Sequence, residues 1–170
     1  MHLEEYIRNI PDFPKPGIQF KDVTPLLRSP DTLTAAVKEI AKNSEKFDFD
    51  LIAGIESRGF IFGASLSMLL NKGFIPIRKP GKLPADTFRE TYDLEYGSNS
   101  LEIHKDAVSK GGKVLVVDDL LATGGTTAAS IKLIERCGGS VVGCSFLIEL
   151  EFLKGRDFLK PYKVTSIIKY

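Results

Sequence analysis

At 170 residues with 43% apolar side chains, the chain is long enough to bury a core as one compact α/β domain. A net charge of +1 leaves neither a basic face for nucleic acid nor an acidic tail. Two cysteines, Cys137 and Cys144, lack CxxC spacing, and the two histidines, His2 and His104, are far apart, which argues against a disulfide frame or a zinc site. No apolar run reaches the roughly 18 residues that span a membrane. The start of the chain lacks a signal peptide's basic and apolar regions, so a cytoplasmic protein with free thiols is expected.

In chain order, residues 3–9 predict a short helix. Residues 11–30 carry five prolines (Pro11, Pro14, Pro16, Pro25 and Pro30) and predict extended loop. Ser29 or Asp31 is placed to cap a helix over about 31–46, with Leu33, Val37, Ile40 and Ala41 on one face. A strand over 49–55 precedes a small-residue, apolar helix over 59–70 and a short strand over 74–78. Residues 79–90, polar and broken by Pro and Gly, predict a long mobile loop. The alternation of 92–96 and 100–104 about Gly97, Ser98 and Asn99 predicts a hairpin. A strand over 113–117 follows, then a helix over 125–137 stopped by Gly138 and Gly139, and strands over 140–148 and 163–169. Strands alternating with helices predict a mostly parallel sheet with helices on both faces and ligands at the carboxyl ends of the strands.

Val114 to Thr127 carries the chemistry. Four apolar residues run into Asp118 and Asp119, and a small loop from Ala122 to Thr127 leads into a helical pattern. Gly124 and Gly125 let the backbone turn tightly and approach a ligand. Converging N–H groups at a helix N-terminus, with hydroxyls from Thr123, Thr126 and Thr127, suit an anion. The loop lacks the lysine of a Walker motif and no GxGxxG follows a strand, so a monophosphate fits better than a triphosphate or dinucleotide. Adjacent carboxylates repel unless hydroxyls or a cation satisfy them. A ribose diol does so, as does a hydrated Mg²⁺. Taken alone, two acids at a strand end are more often a solvated turn; beside this loop they read as a ribose-phosphate site.

This stretch resembles the 5-phosphoribosyl-1-pyrophosphate (PRPP) signature of type I phosphoribosyltransferases. Four further segments, Phe13–Leu27, Ala53–Gly63, Ile77–Pro84 and Leu94–Gly97, occur in the order found in the adenine-specific members, and the resemblance covers nearly the whole chain. It implies a single-domain α/β fold with an N-terminal hood over about 1–30 and a flexible catalytic loop over about 78–96. It implies that Asp118 and Asp119 bind the ribose hydroxyls and that Ala122, Thr123, Gly124, Gly125 and Thr126 hold the 5-phosphate. Pyrophosphate would meet Ser57 and Arg58, with Arg78, Lys79, Lys82 and Arg89 on the basic loop. Glu95 would serve the adenine and ribose and Tyr96 would gate or position, with Glu102 a less favoured carboxylate for the same work. Gln19, Phe20 and Lys21 of the hood, with Leu150 on the other face, would bind the base.

Each of these has a plainer reading: Arg58 as a surface charge, the basic loop as solvated chain, Tyr96 as hairpin packing, Phe20 and Leu150 as core. The implied reaction joins adenine and PRPP to give AMP and pyrophosphate with Mg²⁺, in a homodimer. No dedicated protein site for the metal is implied, only contact with Asp118 or Asp119 through water. A PRPP-sensing regulator on the same fold ranks lower, for want of a basic face or an added domain. A transferase for 6-oxopurines also ranks lower, because of the hood segment.

Overall fold

The computed structural model describes residues 1–93 and 98–170. The chain divides into two compact units, Met1–Glu39 and Ile40–Tyr170. Residues 1–30, expected as a hood, lie within the first unit.

In the first unit a single 3-10 turn, Leu3–Tyr6, replaces the helix expected over 3–9. Ile7 is already extended, and Arg8–Pro11 (β1) pairs antiparallel with Gln19–Asp22 (β2), Ile10 facing Phe20. The prolines suggested unbroken loop, but Pro11 stands at the end of a two-stranded ribbon and Pro14 and Pro16 in its connection, where a missing N–H costs little. Asp12, at φ 57°, accepts a hydrogen bond from Gly17 N–H at 2.7 Å and closes that connection. Pro25 likewise enters the first turn of a short helix, Thr24–Arg28 (α1), where its missing donor is already redundant. Asp22 receives the Thr24 hydroxyl and N–H and the Arg8 guanidinium. The Thr24 bond most of all, against a smaller opposing effect of burial, lowers its carboxyl to about 2. Helix α2, Pro30–Ser44, spans the division between the units.

The second unit is built on a five-stranded parallel sheet ordered β4-β3-β7-β8-β9. Its strands are Leu51–Ile55 (β3), Gly73–Ile77 (β4), Lys113–Leu121 (β7), Ser140–Glu149 (β8) and Val164–Lys169 (β9). Unbroken apolar stretches such as Val114–Val117 fit strands covered on both faces. Helix α4, Gly125–Arg136, packs Ala129, Ile131, Leu133 and Ile134 into one core cluster with Ala53, Ile55, Val114, Val116, Cys144 and Phe146. Helix α3, Arg58–Leu70, covers the other face. There Gly54, out of phase with Ala53, lies close to the Gly59 carbonyl and the Phe74 ring. The α/β fold with helices on both faces of a parallel sheet is therefore as the alternating pattern implies.

In the second unit, the hairpin and β7 depart from the sequence reading. The loop expected over 79–90 ends at Asp86, because Thr87–Asp93 (β5) forms an antiparallel hairpin with Ser98–His104 (β6). The hairpin is fastened to α4: Glu90 meets Lys132 at 3.0 Å and Arg136 at 3.8 Å, and the Arg136 guanidinium lies 4.7 Å from the Phe88 ring centroid. Polar residues can form this strand because their partners come from α4. Ser98 and Asn99, expected in the turn, pair with Asp93 and Tyr92. Strand β7 also runs four residues beyond the expected end, to Leu121, with Asp118 opposite Phe146. The two acids therefore stand within the strand rather than after it.

Candidate active site

Parallel neighbours β3 and β7 release the chain at the same edge of the sheet. Each turns there into a helix, so two helix N-termini, whose first N–H groups have no partner within their own helix, come side by side. Around them lies a cavity of about 390 Å³, a volume suited to a nucleotide-sized ligand. Its wall contains Ser57, Arg58, Lys79, Asp118, Asp119, Ala122 and Thr126, joined by Glu56, Leu120 and the hairpin residues Tyr92, Asn99, Ser100 and Leu101.

The loop after β7 depends on Gly124. Its φ of +91° is one that L side chains rarely adopt, and a Cβ there would lie 2.8 Å from the Gly155 carbonyl oxygen. The chain thus enters α4 in a single tight turn. The first N–H groups of α4 have no partner within the helix, and the dipole adds positive potential at the loop. Thr126 donates its hydroxyl to the Tyr92 hydroxyl at 3.2 Å, tying the start of α4 to the hairpin. Thr127, expected as a further donor to the anion, is buried.

The acids are positioned from α3. Gly59 has no side chain where a Cβ would stand 2.8 Å from Asp118 Oδ1 and 2.9 Å from the Val117 carbonyl oxygen. That absence lets the N-terminus of α3 seat against β7. Arg58, beside it, donates from Nε to Asp119 Oδ2 across sixty-one residues of sequence. Asp119 N–H in turn donates to Asp118 Oδ1 at 2.9 Å. Burial, then the neighbouring Asp119 charge, push the Asp118 carboxyl well above its ordinary value, and Arg58 only partly offsets them. Burial thus disfavours charge on Asp118, while Asp119 has the Arg58 guanidinium as its partner.

The start of the basic loop is held by two carboxylates. Glu56 Oε2 accepts from Lys79 N–H at 2.9 Å and from Arg78 Nε at 3.2 Å. Burial pushes the Glu56 carboxyl up, but the Lys79 N–H and the Arg78 charge outweigh it and hold it below its ordinary value. Glu102 exchanges both backbone hydrogen bonds with Arg78, at 2.7 and 2.9 Å, and its side chain accepts from Gly81 N–H at 3.1 Å. Glu102 is therefore a backbone fastening for this loop. The Glu56–Ser57 peptide bond is cis.

Among the expected pyrophosphate residues, Ser57, Arg58 and Lys79 meet at the cavity. Arg78 instead spans Glu56 and the Lys82 carbonyl, the latter at 3.2 Å, and Lys82 contributes that carbonyl. Arg89 belongs to β5 and reaches the Ser100 hydroxyl at 3.3 Å. Of the loop residues, Ala122 and Thr126 line the wall, while Thr123, Gly124 and Gly125 shape the turn. Glu95 and Tyr96, expected as catalytic residues, lie outside the described residues. In the first unit, Phe20 stacks edge-on against Phe13 at 5.1 Å, Gln19 accepts from Asn9 at 2.8 Å, and Lys21 is opposite Asn9 in the ribbon. In the second, Leu150 is buried just beyond β8. Tyr92, Asn99 and Ser100 were not foreseen: their place in the wall depends on the hairpin packing against α4, for which no local motif exists.

Residues 24–169 match the phosphoribosyl transferase domain family. The adenine phosphoribosyltransferase of Christiangramia forsetii is 61% identical over 170 residues, covering all of this chain and 99% of the relative. The crystal structure of adenine phosphoribosyltransferase from Thermoanaerobacter pseudethanolicus superimposes with a TM-score of 0.96 at 56% identity, over 99% of each chain. That from Saccharomyces cerevisiae, solved with an imino-altritol bisphosphate and adenine, gives 0.91 at 39% identity over 97% of this chain and 96% of its own. The chain belongs to the phosphoribosyl transferase family and, within it, groups with the adenine phosphoribosyltransferases.

Proposed function

We propose that the chain catalyses the conversion of adenine and PRPP to AMP and pyrophosphate, the reaction of purine salvage. One observation carries this reading: two strand-to-helix anion sites, at Ser57–Arg58 and at residues 122–126, flank Asp118 and Asp119 in the wall of a single cavity. A sugar with a phosphate at one end and a pyrophosphate at the other suits two anion sites placed about a pair of diol-binding acids. The complexes of the yeast relative with adenine and of the Giardia lamblia relative with 9-deazaadenine support adenine as the base.

In this reading the residues after Leu121 hold the 5-phosphate through N–H groups and the Thr126 hydroxyl. Asp118 and Asp119 take the ribose hydroxyls. Arg58 and Lys79 neutralise the pyrophosphate as the bond from its oxygen to the anomeric carbon breaks. The lone pair of adenine N9 forms the new bond on the opposite side, with inversion, and the N9 proton leaves. No protein nucleophile is needed; holding both reactants in line supplies much of the acceleration. By the resemblance of their segments, Phe20 would offer a flat face to the purine, Gln19 and Lys21 backbone groups to its edge, and Leu150 an apolar contact. Glu95 takes the part of the group that handles the base's proton, with Tyr96 beside it in sequence; these two roles rest on the resemblance of residues 94–97.

Mg²⁺ enters as part of the substrate, bound to pyrophosphate oxygens whose charge it shares. Among the described residues there is no group of three or more side chains fit to hold a metal. Asp119 is already engaged by Arg58, so the protein's own acids fit a resident ion poorly. Two free thiols, Cys137 and the buried Cys144, fit work in the reducing cytoplasm, and among the described residues no helix is long and apolar enough to cross a membrane. A homodimer is part of the reading: α3 exposes Ile61, Met68 and Leu69, apolar surface that a second copy would cover.

The test is to incubate the protein with PRPP, Mg²⁺ and each purine base and follow pyrophosphate release. Turnover with adenine supports the proposal. Absence of turnover with adenine, or faster turnover with hypoxanthine, overturns it.

A further inference from the structure

Outside the cavity the second unit contains a dense, largely buried ionic cluster around Glu149 and Arg156. Glu149, at the end of β8, is 3% exposed. Arg156 meets it with two parallel bonds, Nε to Oε1 at 2.5 Å and Nη2 to Oε2 at 2.7 Å. The Ser166 hydroxyl of β9 donates to Oε2 at 2.5 Å and accepts from Arg156 Nη2 at 3.0 Å, while Arg156 Nη1 reaches the Val164 carbonyl at 2.8 Å. Burial pushes the Glu149 carboxyl up, but hydrogen bonds from Arg156 and Ser166 outweigh it and keep it below its ordinary value. A planar fork against a carboxylate is the geometry in which arginine fixes direction as well as distance.

The cluster holds the helical turn Gly155–Phe158 (α5). That turn is the rear wall of the phosphate loop. A Cβ on Gly155 would overlap the Ala122 carbonyl oxygen and stand 2.9 Å from the Leu121 side chain. From the other side, a Cβ on Gly124 would meet the Gly155 carbonyl at 2.8 Å and Phe158 Cβ at 3.3 Å. Two backbone segments therefore touch with no side chain between them, and any movement of α5 passes directly to Ala122–Gly124. By contrast, the main chain at Leu150 has its own support, donating to the Leu121 carbonyl at 3.0 Å, and Glu151 N–H donates to the Tyr170 carbonyl at 2.9 Å.

The geometry points to Arg156, clamped by Glu149 and Ser166, as a positioning residue for the 5-phosphate loop, one that governs affinity for the phosphorylated sugar without touching it. This rests on the reading of residues 122–126 as the 5-phosphate site. Arg156→Ala frees α5 and lets the loop relax. Arg156→Lys keeps the charge but loses the fork. Ser166→Ala removes one arm, and Gly155→Ala displaces the loop while leaving the clamp intact.

The experiment measures KM and kcat for both substrates, ribose 5-phosphate binding by calorimetry, and thermal melting. The full-length protein is compared with these four variants and with Val141→Ala, a core truncation near the opposite end of β8. Arg156→Ala is expected to raise KM for PRPP and weaken ribose 5-phosphate binding by roughly tenfold, with KM for adenine and kcat at saturating PRPP within roughly twofold. Gly155→Ala repeats that signature, Arg156→Lys and Ser166→Ala give smaller shifts in the same direction, and Val141→Ala lowers melting without moving either KM. Weaker ribose 5-phosphate binding in Arg156→Ala supports the inference even where the wild type fails to turn over adenine, an outcome that overturns only the choice of base. Variants that melt lower yet bind ribose 5-phosphate as the wild type does overturn the positioning role. So does an equal rise in KM for both substrates.

Discussion

Replacing Gly59 by alanine sets two effects against each other. Gly59 lies in the first turn of α3 at a backbone conformation open to any residue, so the general effect of alanine is to stabilise the helix by up to about 1 kcal/mol. Here the added methyl would stand 2.9 Å from the Val117 carbonyl oxygen and 2.8 Å from Asp118 Oδ1. The carbonyl belongs to a central strand and does not give way. Overpacking of this kind costs about 1–3 kcal/mol and exceeds the propensity gain. The net loss, about 1–2 kcal/mol, corresponds to a melting temperature roughly 2–8 °C lower for a chain of this size. The larger effect is on chemistry. The methyl pushes the start of α3, with Arg58, away from Asp119 and displaces the Asp118 carboxyl. Misplacement of such groups by a few tenths of an ångström to one ångström lowers kcat/KM by about a hundredfold. Differential scanning fluorimetry and steady-state assays on the variant measure both. A Gly59→Ala protein that melts higher than the wild type and keeps full activity refutes the argument that close seating of α3 on β7 builds the site.

The remaining predictions concern the acids, the arginine and the base. Because burial and Asp119 raise the Asp118 carboxyl in the fold, its contribution to stability is fully present below the ordinary Asp range and is lost as pH rises through the raised value. Asp118→Asn removes that loss, so in urea unfolding the variant gains on the wild type as pH rises from acid to neutral, while its use of PRPP falls; a pH-independent difference contradicts the buried-pair argument. Arg58→Ala leaves the buried Asp119 without this cation and is expected to cost about 1–3 kcal/mol in chemical unfolding and about 10²–10³ in kcat/KM, with Arg58→Lys recovering only part of the activity. Unchanged pyrophosphate inhibition in Arg58→Ala would remove it from the leaving-group site. Phe20→Ala is expected to raise KM for adenine by roughly tenfold or more with KM for PRPP little changed, the measure of a lost stacking face.

Residues that act through their neighbours in sequence were the easier ones to foresee. Val114–Thr127 announces itself because strand, acids, turn glycine and helix start follow one another without interruption. The parallel sheet was equally plain, since buried strands such as β3 and β7 read as apolar runs and alternate with helical patterns. What local pattern hid depends on partners far away. The Asp118–Asp119 pair looks like the end of a strand, because carboxylates interrupt an apolar run. Yet pairing with β8 carries β7 on to Leu121, opposite Glu149. Thr87–Asp93 looks like loop until α4 supplies Lys132 and Arg136 to its Glu90. The same tertiary contact brings Tyr92 and Asn99 into the cavity wall. The ion pair of Arg58 with Asp119 follows from β3 and β7 being neighbours, a fact of topology rather than of motif. Prolines misled in the first unit, where an edge ribbon and a helix start accommodate them.

In the proposed function this cavity joins PRPP to adenine in preference to other purines. The direct measurement is a competition: wild-type protein with PRPP, Mg²⁺ and equimolar adenine, hypoxanthine and guanine, with the nucleotide products separated and quantified by chromatography. AMP is expected as the dominant product, formed one for one with pyrophosphate and abolished in the Asp118→Asn, Asp119→Asn double variant. Predominant formation of the hypoxanthine or guanine nucleotide, or undiminished AMP formation by the double variant, would contradict it.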